Sequence, residues 1–311
     1  MERDQLKAIS AIVRAGTFEA AARALNITPS AVSQRIKALE GSVGKVLLRR
    51  GTPCTATEAG EVVLRHAFRL EALEDETHQL LGVGAAGPTV TAIAVNADSL
   101  ADWFTAVLRS VAAARDTLLR IHVEDEGHSG SLLRAGTVVG AVTSDPVPVA
   151  GCTVLPLGSQ RYRAVATPAL LAAHHTPEGP DWARMPMVRF NVKDDLQHRL
   201  LRQLSRQNCV DEWDPPQHHL PAADGYREAV LAGLGWGVLP DAQAVRAVAD
   251  GSVVRLDQPA LEVPLYWQVW NLHTDRIDAL TRQIREAARA RLATPAGSRI
   301  RTDRTIGRSD N

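Results

Sequence analysis

The stretch "AARALNITPSAVSQRIKALE", residues 21–40, places a tight turn between two short helices. Thr28 suits the position just before a helix, where a side-chain oxygen accepts from a free backbone N–H. Pro29 suits the first helical turn, where a missing N–H costs nothing. An earlier helix with regularly spaced apolar residues ends at Gly16. The segment therefore predicts three short helices, with a tight turn before the third.

The helix that begins at Pro29 has two different sides. Its apolar residues recur at helical spacing and must face a core; they are Val32, Ile36 and Leu39. Polar and basic residues occupy the other side: Ser30, Ser33, Gln34 and Lys37 point outward, with Arg35 toward the flank. Serine and glutamine can hydrogen-bond to base edges in the major groove, while basic side chains and the helix N-terminus at Thr28 contact phosphates. The pattern predicts a DNA-recognition helix; an ordinary helical hairpin with a solvated basic face is the alternative.

The segment "VGKVLLRRGTPCTATEAG" after this helix predicts a strand, a Gly/Pro turn and a second strand. Such a wing would place Arg49 and Arg50 beside the DNA backbone or the minor groove. Residues 1–60 contain nine Lys and Arg against five Asp and Glu, whereas the whole chain has no net charge. A basic head on a mildly acidic body indicates a polyanion as the partner of the head and a different partner for the body.

Chain length, hydrophobicity and cysteine content exclude several other classes of protein. The 311 residues suffice for two or three compact units, and no stretch approaches the roughly 18 consecutive apolar residues of a membrane span. The start, "MERDQLKAIS", lacks the apolar middle of a secretory signal, so we expect a cytoplasmic protein without membrane contact. The three cysteines are odd in number and far apart, which suits neither a disulfide framework nor a zinc site; they are Cys54, Cys152 and Cys209.

Residues 58–81 predict one long helix, because the segment has no proline and its apolar residues recur at three, four and seven positions. These residues are Val63, Ala67, Leu70, Leu73 and Leu80. A helix standing outside a compact domain needs a partner to cover such a seam, and two copies packed side by side would do so. The alternative is a helix that lies on its own body. The stretch "GVGAAGP", residues 82–88, then predicts a flexible boundary.

The part after Pro88 alternates predicted strands and helices up to about residue 292. This alternation predicts mostly parallel sheets covered by helices and divided into two lobes. We expect the helix after the strand "VTAIAV" to be capped by Asp98 and Ser99 and to continue through Leu108. Ligands in such folds bind beyond the carboxyl ends of strands, near helix N-termini.

Several loops at predicted strand ends are polar or acidic, so their side chains could meet in one cleft that binds a small effector. The candidates are Asn96, Asp98, Ser99, Glu124, Asp125, Thr143, Asp194, Asp195 and Asp224. Ser99 and the free N–H groups of its helix could hold a carboxylate, while an acid from the opposite rim could pair with a cationic side chain. The alternative for each aspartate is a simple helix cap.

The sequence carries no pattern of an enzyme or a metalloprotein. His174-His175 and His218-His219 lack Cys or His partners at ligand spacing. No G-x-S-x-G, P-loop or dinucleotide fingerprint occurs. We therefore expect no catalytic residues, no metal and no cofactor.

The stretch "GTFEAAARALNITPSAVSQRIKALEGSVGKVLLRR", residues 16–50, resembles the N-terminal signature of LysR-type transcriptional regulators. The resemblance implies a winged helix-turn-helix, a linker helix that dimerises the DNA-binding heads, and a two-lobed periplasmic-binding-protein-like effector domain. The domains would be a DNA-binding domain at 1–60, a linker helix and hinge at 61–87, an α/β effector domain at 88–295 and a disordered tail at 296–311.

Four further stretches resemble the LysR-type subgroup that contains LysG and ArgP: "AVNADSLADWF", "GAVTSDPVPVAGCTVLPLGSQRYRAVATP", "DGYREAVLAGLGWGVLP" and "VPLYWQVW". That resemblance implies a regulator that senses lysine or arginine and switches on a basic-amino-acid exporter gene. Asn96, Asp98 and Ser99 would then meet the backbone groups of the amino acid, and the acids would read its cationic end. The implied partners are promoter DNA, further copies in a homodimer or homotetramer, and RNA polymerase.

Two other functions remain as alternatives. One is a cytoplasmic small-molecule-binding protein, or a regulator answering a different effector. The other is a nucleoid-type DNA binder with little sequence preference. Competition with unrelated DNA would separate the second from a specific regulator.

Overall fold

The computed structural model describes residues 1–81, 89–115, 117–124, 127, 129–192, 194–210, 212–256, 260–272 and 274–293. The predicted boundary at 82–88, the candidate Asp125 and the predicted tail at 296–311 lie outside these residues, as does the side chain of Leu80. Within the described ranges, every helix is too short or too polar to span a lipid bilayer.

The head consists of three helices and a short hairpin: α1 (Arg3–Ala15), α2 (Phe18–Ala24), α3 (Pro29–Val43), β1 (Leu48–Arg49) and β2 (Thr55–Ala56). Gly16 ends α1 with φ 78°, which only glycine adopts at little cost. The Thr28 hydroxyl accepts from the Ala31 N–H at the start of α3. Both local predictions are confirmed, and so is the antiparallel wing, in which Leu48 pairs with Ala56.

The core of the head explains which side of α3 is free. Val32, Ile36 and Leu39 are buried against apolar residues of α1 and α2. The predicted apolar side of α3 is therefore confirmed, and its polar side faces outward.

The linker helix α4 (Glu58–Leu80) begins directly after the hairpin. Its residues Val63, Leu64 and Ala67 are buried in the core of the same head. Arg3 and Arg14 of α1 form ion pairs with Glu74 and Glu71 of α4 at 2.6 and 2.9 Å. The expectation that the whole apolar seam awaits a second copy is therefore wrong for Val63 and Ala67, whereas Leu73 is 52% exposed.

The effector domain begins with β3 (Thr89–Val95), α5 (Ala97–Ala101), α6 (Phe104–Ala114), β4 (Thr117–Val123), α7 (Ser129–Arg134), β5 (Gly140–Thr143) and β6 (Cys152–Ala166). It continues with α8 (Pro168–Ala173), β7 (His175–Thr176), β8 (Gly179–Pro180), β9 (Met187–Arg189), α9 (Leu196–Asn208), β10 (Gln217–His219), α10 (Ala223–Leu231) and β11 (Gly237–Pro240). The last elements are α11 (Asp241–Ala249), β12 (Val254–Arg255), β13 (Leu261–Trp270) and α12 (Asp275–Arg289).

The main sheet has the strand order β11-β6-β13-β5-β3-β4, with β12 beside β6. Strands β3, β4 and β5 pair in parallel, but β6 pairs antiparallel with β11, β12 and β13, and β13 pairs antiparallel with β5. The expectation of mostly parallel sheets is therefore wrong. The cause is the pair β6 and β13, which stay together from Tyr162 beside Leu261 to Cys152 beside Trp270. These two long strands connect the first lobe, built on β3–β5, with the second, built on β9–β12. The two-lobed α/β architecture itself is confirmed.

The helix after β3 differs from its prediction. It breaks at Asp102, so α5 and α6 are separate, and the N-cap is Asn96 rather than Asp98 or Ser99. The Asn96 side chain makes no capping hydrogen bond. Its polar atoms therefore remain available at the end of β3.

Candidate functional sites

The first candidate site is the outer side of α3. Its predicted outward residues are all exposed: Thr28, Ser30, Ser33, Gln34 and Lys37. They occupy the side of α3 opposite its buried apolar residues, and the Thr28 cap fixes where the helix begins. The structure therefore presents short hydrogen-bonding groups near a helix N-terminus, with a lysine one turn further on. This arrangement suits insertion into the major groove of DNA.

Arg35 is held at the flank of α3, as predicted, by a specific contact. Its Nη2 lies 2.6 Å from Oδ2 of Asp4 on α1, and both side chains are partly exposed. An exposed ion pair of this kind contributes little stability. Arg35 could therefore exchange this carboxylate for a DNA phosphate.

The wing places Arg49 and Arg50 at the surface. The Arg50 guanidinium lies 5.6 Å from the centre of the Phe18 ring, which sets its direction. A surface groove runs between the wing and the N-terminus of α3, and Ser30, Ser33 and Arg50 all line it. The structure thus brings the basic wing and the recognition helix to one surface, where a phosphate backbone could lie.

The second candidate site is a cleft between the two lobes with an empty volume of about 960 Å³, including its open mouth. The first lobe contributes the end of β3 with α5 and the end of β4. The second lobe contributes the loop before α9, the first turns of α9 and α10, and β11. The cleft therefore lies beyond the carboxyl ends of the strands, as predicted.

Five of the nine predicted effector residues line this cleft: Asn96, Asp98, Glu124, Asp194 and Asp224. Ser99 and Thr143 are buried in the first lobe and are not part of the lining. Asp195 lies at the exposed N-terminus of α9, where its carboxylate pairs with Arg202. This hydrogen bond raises the pKa of Arg202 further above its ordinary value. The structure therefore does not bring these three residues to the cleft: Ser99 and Thr143 are buried, and Asp195 faces solvent.

The carboxylates in the cleft have different surroundings. Asp98 accepts a hydrogen bond from the Tyr162 hydroxyl at 2.9 Å, so a residue of β6 holds it in place. Asp194 is buried, and its two oxygens accept from the backbone N–H groups of Phe190 and Leu196 at 3.0 and 3.1 Å. Asp194 therefore orders its own loop, as the helix-cap alternative predicts, while its charge still faces the cleft.

Sequence reasoning missed several residues of the lining, among them Gln197, Tyr226 and Arg227. Tyr226 follows the predicted Asp224 by two positions, but nothing in the sequence indicated that it reaches the cleft. Burial, reinforced by the charge of Asp194, raises the pKa of Tyr226 far above its ordinary value. Its hydroxyl therefore stays protonated at neutral pH.

The cleft is rich in hydrogen-bond acceptors. Its described lining holds four carboxylates and one guanidinium, that of Arg227, which pairs with Glu228 at 2.6 Å. Two buried neutral acceptors, Asn96 Oδ1 and Gln197 Oε1, have no hydrogen-bond partner among the described residues. A buried acceptor without a donor is costly, so a ligand with several N–H donors and a positive charge complements this lining. No group of three His, Cys, Asp or Glu within the described part could hold a metal ion.

Comparison with known proteins finds relatives for both parts of the chain. Residues 3–61 match the family model described as bacterial regulatory helix-turn-helix protein, lysR family, and residues 91–293 match the LysR substrate binding domain. The lysine export transcriptional regulatory protein LysG of Corynebacterium efficiens is 47% identical over 291 residues, which cover 93% of this chain and 98% of that protein.

Two solved structures are also similar. The crystal structure of ArgP from Mycobacterium tuberculosis has 42% identity and a TM-score of 0.82, covering 94% of this chain and 98% of the other. Full-length LysG from Corynebacterium glutamicum with bound effector Arg has 43% identity and a TM-score of 0.77, covering 94% of this chain and all of the other.

Proposed function

The chain belongs to the LysR family of bacterial helix-turn-helix regulators, and on that premise we propose that it senses a basic amino acid and controls transcription of a basic-amino-acid exporter gene. The observation that carries the effector assignment is the acceptor-rich cleft, with four carboxylates and two buried unpaired acceptors in its described lining. Lysine and arginine carry the cationic N–H donors that such a lining requires.

The proposed DNA contacts are those of α3 and the wing. Ser30, Ser33 and Gln34 would meet base edges, while the basic side chains and the N-terminus of α3 meet phosphates. The basic residues are Arg35, Lys37, Arg49 and Arg50. Lys37, Arg49 and Arg50 are exposed and Arg35 is partly exposed. The groove lined by Ser30, Ser33 and Arg50 supports this assignment.

The proposed effector contacts are the cleft residues Asn96, Asp98, Glu124 and Asp224, with Asp194 acting through its charge. The relative LysG of Corynebacterium glutamicum, solved with bound effector Arg, supports a basic amino acid as the effector. We keep Ser99 and Thr143 as residues behind the cleft and assign no ligand contact to Asp195. Asp125 stays a prediction.

The proposed mechanism is a population shift. Arginine or lysine contacts both lobes at once and stabilises one arrangement of the lobes. This arrangement changes how the paired DNA-binding heads contact DNA. The exposed Leu73 and the remaining surface of α4 suit pairing of two linker helices in a homodimer or homotetramer. We propose the same domain boundaries as before: a DNA-binding domain at 1–60, a linker at 61–87 and an effector domain at 88–295. We propose that the protein is not an enzyme. It would act in the cytoplasm, where the chromosome and RNA polymerase are its partners.

Calorimetric titration of the full-length protein with arginine, lysine and leucine tests the effector assignment. We expect heat of binding for the two basic amino acids and none for leucine. Binding of neither basic amino acid would overturn the effector assignment but leave the membership of the family intact. The DNA assignment is tested separately by Arg50→Ala, which should weaken DNA binding and leave the affinity for arginine unchanged.

A further inference from the structure

Gln197 occupies the first turn of α9, lines the cleft and is only 1% exposed. Its Nε2 donates two hydrogen bonds, to the backbone oxygen of Val188 at 2.9 Å and to the hydroxyl oxygen of Tyr226 at 3.0 Å. Both hydrogens of the amide are therefore used inside the second lobe. The remaining polar atom is Oε1.

The orientation of this amide is dictated by its neighbours. The Val188 carbonyl can only accept, so it excludes the flipped amide, in which Oε1 would face a second oxygen. Tyr226 has one hydroxyl hydrogen, which it donates to the Val238 oxygen at 3.2 Å while accepting from the Val238 N–H at 2.8 Å. Tyr226 therefore also accepts from Gln197. The backbone of two strands thus fixes Tyr226 and Gln197 together.

The result is an acceptor without a donor. Gln197 Oε1 is buried and has no partner among the described residues. Leaving such an atom unsatisfied destabilises the protein, and a ligand that supplies an N–H removes that cost. The Gln197 amide does not titrate, so only a hydrogen-bond donor can satisfy its oxygen.

Asn96 provides the matching atom on the first lobe. It is 3% exposed, lines the cleft at the end of β3, and its Oδ1 also lacks a partner among the described residues. Its place as N-cap of α5 uses no side-chain hydrogen bond. One buried neutral acceptor therefore lies in each lobe, at the cleft that separates them.

We propose that Gln197 is a specificity residue of this cleft: its Oε1 accepts a hydrogen bond from a cationic nitrogen of the effector, with Asn96 Oδ1 as the acceptor on the opposite lobe. Tyr226 is the positioning residue that holds the Gln197 amide in its orientation. The inference rests on the proposed function, because it names how the same cleft recognises a basic amino acid. Nitrogen donors on the ligand would then draw the two lobes together.

The test is calorimetric titration of the full-length protein and its Gln197→Met variant with arginine. Methionine keeps the volume of the side chain and removes the acceptor, so we expect affinity for arginine to fall by about tenfold or more. Gln203→Met on the outer side of α9 is the matched control and should bind as the unchanged protein does. Equal affinity in the Gln197 and Gln203 variants would overturn the proposal.

The same titrations separate the role of Gln197 from the assignment of the effector. If the unchanged protein binds neither arginine nor lysine, the proposed function fails. If it binds arginine and Gln197→Met binds it equally well, only the role of Gln197 fails. If a thermal melt shows that Gln197→Met is unfolded, the Asn96→Leu variant is titrated with arginine instead, since it removes the acceptor on the other lobe. A folded Asn96→Leu variant with undiminished affinity would overturn the two-lobe contact.

The positioning role of Tyr226 has its own readout in a double-mutant cycle. Tyr226→Phe should weaken arginine binding in the unchanged protein, because the Gln197 amide loses one of its two anchors. It should have little further effect in the Gln197→Met background. Equal effects in both backgrounds would show that Tyr226 does not act through Gln197.

Discussion

The guanidinium of Arg69, on the linker helix α4, lies 5.5 Å from the ring centre of Trp270, the last residue of β13. The same guanidinium donates to the backbone oxygen of Gly151, the residue before β6, at 3.4 Å. One helical position earlier, Phe68 packs against Gly136, where a Cβ would lie 2.5 Å from the ring. The linker helix therefore touches the effector domain at the ends of the two long strands that connect its lobes.

This contact predicts that Arg69 couples the effector to the DNA-binding head. Arg69→Ala should retain arginine binding but reduce the arginine-dependent change in DNA affinity. The cation–π contact and the hydrogen bond together contribute about 1–2 kcal/mol, so the change should fall by about 5- to 30-fold. Fluorescence anisotropy of labelled DNA with and without arginine measures it. Arg246→Ala, at an exposed position of α11, is the control, and an equal response in the two variants would contradict the coupling role.

Alanine substitutions at two glycines of the head should change its stability in opposite directions. A Cβ on Gly60 would overlap the backbone oxygen of Leu47, whereas a Cβ on Gly41 of α3 would meet nothing within 4 Å. Gly60→Ala should destabilise the head by on the order of 2 kcal/mol or more, because backbone must shift. Gly41→Ala should stabilise α3 by about 0.5–1 kcal/mol. Urea unfolding measures both changes, and a neutral Gly60→Ala would show that the start of α4 does not pack as described.

The outer side of α3 and the wing should differ in what they contribute to DNA binding. Gln34→Ala should relax discrimination at one base pair by about 1–3 kcal/mol. Lys37→Ala should instead weaken binding to all sequences alike. It should also reduce by about one the steepness with which the logarithm of the affinity falls with the logarithm of the salt concentration. Affinities for matched and mismatched duplexes at several salt concentrations distinguish the two. If Gln34→Ala behaved as Lys37→Ala does, base reading by that glutamine would be ruled out.

Cys152 predicts a specific pH dependence of stability. Burial raises the pKa of its thiol from 9.0 to about 11, against the opposing charges of Arg69 and Arg65. The folded state favours the protonated thiol, so this stabilisation is fully present below pH 9 and is lost as pH rises from 9 toward 11. Urea unfolding at pH 8 and pH 10 should show a smaller loss for Cys152→Ala than for the unchanged protein. Cys209→Ala, at an exposed position, is the control and should lose as much stability as the unchanged protein.

The head could be predicted closely because its signals are local. The Thr28 cap, Pro29 in the first turn and the glycine at position 16 each act within one helical turn, and all three have their predicted places. The apolar spacing of α3 likewise determined which residues face outward. Nothing beyond neighbouring residues was needed for these predictions.

The effector cleft could be predicted only in outline. Asp194 and Asp195 are adjacent, yet one faces the cleft and the other pairs with Arg202, because the start of α9 turns them in different directions. Gln197 and Tyr226 are held in place by the backbone of Val188 and Val238, which only the fold brings near. The antiparallel pairing of β6 with β13 depends equally on distant residues.

Effector-dependent, sequence-specific DNA binding is tested most directly by the affinity of the full-length protein for a duplex that it selects from a random-sequence pool, measured against an unrelated duplex with and without arginine. We expect tight binding to the selected duplex, weak binding to the unrelated one, and a change in the first affinity when arginine is added. Equal affinity for both duplexes, or an affinity that arginine leaves unchanged while it binds the protein, would contradict this expectation.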